Sequence, residues 1–255
     1  MGDNTMLTRA ILLINHLTMF ILPGLAWGYI HYKRNLFKGL DLKSFVRWQY
    51  IAMGILFLLV TYPIVAKSYE INKLWDLPDW MSNAEAQTAE LLKKLLTMNS
   101  LASLILNLIV IAIIPGMGEE LIFRGIIQKE LSRYFKSPYV AIILASVIFS
   151  AFHFQFEGFL PRMFLGLILG FLYFWTGTLW VPILVHAFNN GMQVLITYFN
   201  PAMATEDLES TISVEWYYLI ASVILSFAVG YWFIQRKAKK TNDAENAASI
   251  SENLS

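Results

Sequence analysis

Residues 101–125 read LASLILNLIVIAIIPGMGEELIFRG. The stretch opens with an apolar run long enough for a helix to cross roughly 30 Å of hydrocarbon. Two adjacent acids, Glu119 and Glu120, follow in the same stretch. An ionisable side chain near the centre of a bilayer costs about 2.5–3.5 kcal/mol on insertion scales, so it persists mainly where it faces a cavity and has a partner. The stretch therefore predicts a membrane helix that carries a polar site.

The remainder of the chain is similarly apolar. Of 255 residues, 57% are hydrophobic and 15% are charged, and the mean hydropathy is +0.54. This composition is too hydrophobic and too poor in charged residues for an ordinary soluble domain of this length. The net charge of +1 provides no global field for nucleic acid, and the absence of cysteine excludes disulfides, thiolate metal ligands and a cysteine nucleophile. We expect an integral membrane protein with no nucleic-acid partner.

About seven apolar segments are suited to membrane helices, and they predict an all-α, polytopic transmembrane helical bundle. Residues 68–100 mix apolar and charged residues, which suits an interfacial helix and an extramembrane connector equally well. We assign residues 1–240 to one membrane-embedded domain with a motif-bearing core at about 101–200, and the polar residues 241–255 to a disordered cytoplasmic tail. The predicted spans are 10–30, 49–66, 101–123, 138–156, 159–176, 180–199 and 214–234.

Basic residues predict the orientation of these spans. The connection between the first two spans carries five basic residues and one acid, and the positive-inside rule places such a connection in the cytoplasm. The N-terminus is then outside, the acidic segment 200–213 is outside, and the C-terminus is cytoplasmic. The charged residues of the first connection are Lys33, Arg34, Lys38, Asp41, Lys43 and Arg47.

Helical spacing separates the two acids of the first stretch. Glu120 and Arg124 are four residues apart, so they share a helix face and can form an ion pair. Glu119 is rotated about 100° from that face and is the freer carboxylate. The alternative is a charged helix end at the cytoplasmic interface, with Glu120 and Arg124 solvated.

The residues just before the acids interrupt the regular helix. Pro115 has no N–H, so it frees the carbonyl of Ile111 and favours a bend. Gly116 and Gly118 allow another backbone or a substrate to approach closely. We therefore expect a bend and a close contact beside the site.

The next span brings a histidine to the depth of Glu119. If 101–135 and 138–156 are antiparallel helices that turn near Lys136, Glu119 and His153 each lie 17 residues from the turn. At 1.5 Å per residue, that is roughly 25 Å. A lone histidine in an apolar helix is more often a packing residue, but the common depth predicts that these two side chains meet.

The sixth span contributes two further polar groups. His186 and Asn190 are four residues apart and point the same way, at a depth within reach of the first pair. Asn189 lies off that face and suits an interhelical hydrogen bond. His16 and His31 stand apart from these segments, and we take them as structural or interfacial.

A carboxylate and an imidazole in a low-dielectric cavity can share one water, the carboxylate accepting a proton as the water attacks a carbonyl carbon. Nearby donors can stabilise the oxyanion, and one such donor is worth roughly 3–4 kcal/mol. Two histidines and a glutamate also match the ligands of a hydrolytic zinc ion. The spacing of the residues does not distinguish the metal-free mechanism from the zinc site. The sequence has no H-E-x-x-H motif, no paired aspartates in apolar spans and no G-x-S-x-G elbow.

Three motifs in order carry a family resemblance. E-E-x-x-x-R at 119–124, F-x-x-x-H at 149–153 and H-x-x-x-N at 186–190 resemble those of the CAAX-protease and bacteriocin-processing (CPBP, or Abi) family. The resemblance covers about 100 of 255 residues. It implies an intramembrane glutamate endopeptidase similar to type II CAAX prenyl endopeptidases.

The resemblance also implies roles for the motif residues. Glu119 and His153 would activate water, and His186 and Asn190 would form the oxyanion hole. The two supporting residues would be Glu120 and Arg124. No metal or other cofactor is implied.

The resemblance further implies a peptide or protein substrate, CAAX-type processing among the candidates, and a bacterial inner (cytoplasmic) membrane as the location. Two other functions stay open. One is a non-catalytic bacteriocin-immunity or membrane-binding protein. The other is a transporter that uses the carboxylates as a proton relay.

Overall fold

The computed structural model describes residues 4–42, 46–201 and 214–253. These ranges consist of helices and their connections, with no β-strand among them, so the predicted all-α helical bundle is confirmed. The α-helices are α1 Asn4–His16, α2 Leu22–Tyr32, α3 Leu36–Gly39, α4 Trp48–Asn72, α5 Asp79–Leu96, α6 Leu101–Asn107, α7 Ile114–Ile122, α8 Lys129–Phe135, α9 Pro138–Ala151, α10 Phe159–Thr176, α11 Trp180–Phe199 and α12 Trp216–Asn253.

Several of these helices run on into one another without a break. Three π-helical segments, Leu17–Ile21, Leu108–Ile113 and Phe123–Gln128, join α1 to α2, α6 to α7 and α7 to α8. A 3-10 turn at Lys33–Asn35 links α2 to α3. A π-helical turn contains more residues than an α-helical one and is frequent at functional sites. Because the joined helices are continuous, the first and third spans are longer than the sequence predicted.

Within the described ranges, five helices are long and apolar enough to cross a membrane. The predicted span 138–156 corresponds to α9, an apolar helix of only 14 residues. The predicted span 180–199 has the same bounds as α11 but is not one of the five, because the polar residues of its central turns lower its hydropathy. The five spans are Thr5–Gly39, Trp48–Asn72, Leu101–Phe135, Phe159–Thr176 and Trp216–Lys237.

The end of the fourth predicted span is wrong. Helix α9 ends at Ala151, so His153 lies in the turn that follows instead of inside a helix. Phe154, the next residue, has a left-handed backbone with φ of 53°. The side chains of 152–156 alternate between apolar and polar, and hydropathy alone does not reveal the end of a helix there.

The C-terminal part also differs from the prediction. Helix α12 extends to Asn253, through most of the segment 241–255 that we predicted to be disordered. Alanine and glutamate in this segment have high helix propensity, which a prediction from polarity alone does not weigh. The division into a domain and a tail stays a prediction. Lys43 and the acids of 202–213, on which the orientation partly depends, lie outside the described residues.

The N-terminal helix is fixed to the rest of the bundle by a buried cation. Arg9 donates from Nε to Oδ1 of Asn107 at 2.8 Å, and Asn107 donates from Nδ2 to the carbonyl of Leu95 at 2.5 Å. Arg9 is 7% exposed. This chain of hydrogen bonds joins α1, α6 and the end of α5, and it holds α1 against the helix that leads to the polar site.

Small residues set the closest helix contacts around the site. A Cβ atom on Gly116 would lie 3.0 Å from the backbone nitrogen of Ala187, so α7 packs directly on α11, as predicted for this glycine. A Cβ atom on Gly166 would lie 3.0 Å from Cα of Ser146, which brings α10 equally close to α9. These two contacts bring α7 close to α11 and α10 close to α9.

Candidate active site

Glu119 lies on α7 and is 5% exposed. Its two carboxylate oxygens face different partners. Oε1 is 3.4 Å from Nε2 of His16, whereas Oε2 is 3.8 Å from Nε2 of His153 and 3.9 Å from Nε2 of His186. Among the described residues, Oε2 accepts no hydrogen bond. The structure therefore brings together three predicted site residues and adds His16 to them.

Glu120 and Arg124 form the predicted ion pair, and both are buried. Arg124 donates from Nη1 to Oε1 of Glu120 at 2.6 Å and from Nη2 to the carbonyl of Gly166 at 3.0 Å. The guanidinium also lies 4.7 Å from the ring centroid of Phe149, in a cation–π contact. Glu120 is 0% and Arg124 is 1% exposed, so the alternative of a solvated helix end is wrong.

Glu120 has a second partner that spacing did not predict. Nδ1 of His186 lies 2.9 Å from Oε1 of Glu120, the oxygen that also accepts from Arg124. A carboxylate oxygen accepts hydrogen bonds, so Nδ1 of His186 carries the proton. The neutral ring then has a lone pair at Nε2, and it can donate from Nε2 only when both nitrogens are protonated.

All three histidines of the site are oriented in the same manner. In each ring, Nδ1 contacts an oxygen that can only accept, so Nδ1 is the protonated nitrogen and Nε2 faces Glu119. Such contacts fix both the tautomer and the direction of the ring. The Nδ1 contacts are His16 to the carbonyl of Leu12 at 3.1 Å, His153 to the carbonyl of Phe149 at 2.8 Å, and His186 to Glu120 at 2.9 Å.

The side chain of Asn190 is hydrogen-bonded to the backbone of the facing helix. It donates from Nδ2 to the carbonyl of Ile111 at 3.2 Å. The α-helical donor position for this carbonyl is occupied by Pro115, which has no N–H. Asn189 donates to Oδ1 of Asn190 at 3.3 Å, so the amide is held from both ends. Since an amide nitrogen has two hydrogens, one remains for another acceptor.

The turn that carries His153 is held from outside its own helix. Asn72 donates from Nδ2 to the carbonyl of Phe156 at 2.8 Å and accepts from the backbone N–H of Leu160 at 2.7 Å. Oε2 of Glu85 on α5 accepts from the N–H of Phe156 at 2.8 Å. Burial raises the pKa of Glu85, and the backbone N–H groups of Phe156 and Glu157, which donate to its carboxylate, oppose the rise. Sequence reasoning missed both anchors, because an asparagine and an acid near helix ends resemble ordinary polar residues.

The expectation that His16 stands apart from the site is wrong. His16 precedes the π-helical segment Leu17–Ile21 and reaches the carboxylate of Glu119. The available signal was its position in an apolar helix, where a histidine is costly and is a candidate site residue by default. His31 donates from Nδ1 to the carbonyl of Trp27 and stays outside the site.

A cavity of about 240 Å³ opens beside the polar cluster. His153, His186 and Asn190 line one side of it. Among the described residues that line the cavity there is no acid. Further polar lining residues are Gln155, Arg162, Asn189 and Gln193. The cavity is therefore a place where a polar backbone segment could reach the Nε2 atoms of the two histidines.

The zinc-site hypothesis requires a cluster of metal ligands. Within the described part of the chain, no group of three or more His, Cys, Asp or Glu side chains is arranged to hold a metal ion. This geometry carries no conclusion about metal use in the reaction. The expectation that no metal cofactor is required stays a prediction.

Residues 101–192 match the model of a family described as type II CAAX prenyl endopeptidase Rce1-like. This segment is Rce1-like. The resemblance inferred from the three motifs is confirmed for it, because the Rce1-like segment contains all three. His16, Asn72 and Glu85 lie outside the Rce1-like segment.

Curated relatives match over a similar length. The membrane-embedded CAAX protease MroQ of Staphylococcus aureus (strain USA300) is 38% identical over 97 residues, which is 36% of this chain and 39% of the relative. The uncharacterised protein YpbD of Bacillus subtilis (strain 168) is 30% identical over 84 residues, 31% of this chain and 40% of the relative.

An uncharacterised 24.3 kDa protein of Escherichia coli is 34% identical over 97 residues, 36% of this chain and 45% of the relative. The matched region therefore spans about two fifths of the length of these relatives. No solved structure matches the chain. The similarity thus centres on the Rce1-like segment.

Proposed function

We propose that the protein is a membrane-embedded peptidase that hydrolyses peptide bonds near the cytoplasmic side of the membrane. One observation carries the proposal. Oε2 of Glu119 lies 3.8 and 3.9 Å from the Nε2 atoms of His153 and His186, and both histidines line the cavity within the Rce1-like segment. The supporting relative is MroQ, which is described as a membrane-embedded CAAX protease.

Glu119 and His153 are the proposed water-activating pair. A single water can hydrogen-bond both groups at about 2.8 Å from each, because their facing atoms are 3.8 Å apart. The proton on Nδ1 of His153 is directed to Phe149, which leaves the Nε2 lone pair to orient the water. The water oxygen attacks the substrate carbonyl carbon, and Oε2 of Glu119 accepts the released proton.

His186 and Asn190 are the proposed oxyanion donors. The carbonyl π electrons move to the oxygen, which then carries the negative charge. Asn190 can donate the hydrogen that Ile111 does not use. His186 can donate from Nε2 as an imidazolium, which the carboxylate of Glu120 stabilises through Nδ1. Donors at such a position are worth roughly 3–4 kcal/mol each.

Collapse of the tetrahedral intermediate completes the cycle. The electron pair on the oxyanion re-forms the carbonyl, and the carbon–nitrogen bond breaks. Glu119 returns its proton to the leaving nitrogen, so the carboxylate is regenerated and the products are a carboxylic acid and an amine.

The proposed substrate is a protein or peptide that reaches the site from the bilayer, with CAAX-type processing the first candidate. The proposed location is a bacterial inner membrane, with the N-terminus outside and the C-terminus in the cytoplasm. Because the chain has no cysteine, a single cysteine in place of Asn4 or Ser251 reports the side of each end through an impermeant maleimide.

The decisive test uses the purified full chain in liposomes with an internally quenched CAAX-type peptide, prenylated and unprenylated. We expect cleavage by the wild type and a loss of about 10²–10⁴-fold in Glu119→Gln. Glu130→Gln, which changes an exposed acid on α8, is the matched control and should retain activity. Full activity in Glu119→Gln would overturn the proposal.

Three further tests separate the alternatives. Activity that survives chelation, in protein without bound zinc by elemental analysis, eliminates the zinc reading. A biological phenotype that survives both Glu119→Gln and His153→Ala indicates a non-catalytic immunity or binding protein. Proton-gradient-dependent solute flux in the same liposomes would indicate a proton-relay transporter.

A further inference from the structure

His16 is held firmly beside Glu119 by the packing of the N-terminal helix. The buried anchor Arg9 precedes His16 by seven residues, so the two share one helix face. The His16 ring stacks on Phe20, with ring centroids 5.5 Å apart. A Cβ atom on Gly118 would lie 3.0 Å from Cβ of Phe20, so this helix packs closely on α7. The contact between His16 and Glu119 is therefore part of a tight helix interface.

The buried charges of the site do not balance without a proton from a histidine. Glu120 is neutralised by Arg124, the guanidinium that it contacts at 2.6 Å. Every ion-pair contact of Glu119 among the described residues is with a histidine, and His16 is the nearest at 3.4 Å. An unpaired carboxylate in a low-dielectric interior costs several kcal/mol. The site therefore favours a proton between Glu119 and one of these rings.

The contact with His16 places a proton on the side of Oε1. Nδ1 of His16 is 3.1 Å from the carbonyl of Leu12, so Nδ1 already carries a hydrogen. A neutral ring would then direct the Nε2 lone pair at Oε1 of Glu119, which is also an electron pair. The contact is attractive when a proton lies between the two atoms, and Glu119 stays a carboxylate that can accept a proton at Oε2 when this proton is on Nε2 of His16.

We propose that His16 is a positioning residue of the site, which holds Oε1 of Glu119 through a shared proton and leaves Oε2 for the water. The two oxygens of the carboxylate then have separate tasks. Oε1 is fixed by the N-terminal helix, and Oε2 points between His153 and His186. The effect of His16 on turnover rests on the proposed peptidase function. The presence of a proton between His16 and Glu119 does not depend on that function.

His16 lies outside the segment that carries the three motifs. His16 precedes the matched Rce1-like segment by 85 residues, since that segment begins at Leu101. The N-terminal helix is thus more than a membrane anchor for the motif-bearing core. It completes the hydrogen bonding of the residue on which the proposed reaction depends.

Nuclear magnetic resonance of the full chain in micelles tests the shared proton directly. The chain has only four histidines, so ring-¹⁵N-histidine labelling gives few signals, and histidine-to-glutamine variants assign them. We expect the Nε2 signal of His16 to move toward the unprotonated position in Glu119→Gln and to stay in place in Glu130→Gln. The His31 signals serve as the internal reference. A His16 signal that is unchanged in Glu119→Gln overturns the proposal.

Kinetics with the quenched peptide test the positioning role. We expect His16→Leu to lower kcat about 10–100-fold with KM nearly unchanged, the range seen when a residue that orients a reactive group is removed. His16→Gln retains an N–H donor and should recover most of that loss. His31→Leu changes a histidine of the same helix run and should have no effect.

Full turnover in a folded His16→Leu variant overturns the positioning role. If that variant unfolds, His16→Ala takes its place, and an unfolding midpoint measured for each variant separates loss of the fold from loss of positioning. If the wild type cleaves no peptide, the peptidase proposal fails, and the resonance measurement still decides whether His16 and Glu119 share a proton.

Discussion

Gly116 of α7 packs directly on the backbone of Ala187 in α11: a Cβ atom at position 116 would lie 3.0 Å from the Ala187 nitrogen and 3.2 Å from its Cα. Ala187 follows His186, so this contact controls how closely Glu119 and Glu120 approach that ring. Backbone atoms cannot swing aside as a side chain end can. The separation of the two helices is therefore set by the absence of one methyl group.

Gly116→Ala is expected to destabilise the protein by about 1–3 kcal/mol, because the added methyl forces α7 away from α11. Peptidase activity should fall by about 100-fold if the site widens by 1 Å. Gly191→Ala is the matched control on α11, since its Cβ would have its nearest neighbour at 3.6 Å. Thermal unfolding and peptide cleavage measure both variants. Equal effects of the two substitutions would contradict the proposed contact.

Glu120→Gln is expected to destabilise the fold by about 3–5 kcal/mol, because Arg124 then keeps a buried charge without its countercharge. Glu130→Gln removes a partner of Arg133 from an exposed pair and should change stability by less than about 1 kcal/mol. The unfolding midpoint in micelles gives the comparison. Similar midpoints for the two variants would show that the Glu120 pair is not structurally important.

Asn72 is expected to act on His153 from a distance. Asn72→Leu leaves the carbonyl of Phe156 and the N–H of Leu160 unpaired, at a cost of about 1–3 kcal/mol each. The turn should loosen, and kcat should fall although no residue that contacts the substrate has changed. Asn72→Asp keeps the acceptor for Leu160 and should give an intermediate loss. Wild-type kcat in Asn72→Leu would exclude this anchoring role.

Glu85 and Glu90, both on α5, are expected to respond to pH in opposite directions. Burial raises the pKa of Glu85 above its usual 4.5, so its contribution to stability is greatest below pH 4.5 and is lost as pH rises through the raised value. The hydrogen bond with Lys94 lowers the pKa of Glu90, so its contribution is present above pH 4.5 and is lost on acidification.

The measurement is the unfolding midpoint of wild type minus that of each glutamine variant, between pH 3 and pH 7. For Glu85→Gln this difference should decrease as pH rises, and for Glu90→Gln it should increase. The effect at Glu90 should be small and should weaken with salt, because its pair with Lys94 is exposed. The same slope for both variants would contradict the assignment.

The helix order and the depth of the site were predictable because they depend on periodicity and length. Apolar runs gave the bounds of α10 and α11, and equal distances from Lys136 placed Glu119 and His153 at one depth. Spacing of four residues gave the ion pair of Glu120 with Arg124. Each of these predictions depends only on residues close together in the sequence or on the equal lengths of two antiparallel helices.

The missed features depend on how distant helices dock. His16 and Glu119 are 103 positions apart, and no local pattern relates them. Asn72 reaches the turn after α9 only because α4 and α10 meet there. The end of α9 was missed partly because side chains on other elements, Asn72 and Glu85, bond the backbone of the turn that follows it. Side-chain-to-backbone contacts of this kind need the assembled bundle.

The π-helical segments on both sides of Glu119 allow the residue count to vary without turning the site. A π-helical turn holds one residue more than an α-helical turn and absorbs it locally, so removing one residue from 108–113 would restore the α-helical repeat with little rotation of α7 relative to α6. Glu119 would then still face the histidines. A homologue that preserves all three motifs but lacks one residue in this turn is therefore expected to keep the same site geometry, and a search that requires a fixed spacing between α6 and the first motif would miss it.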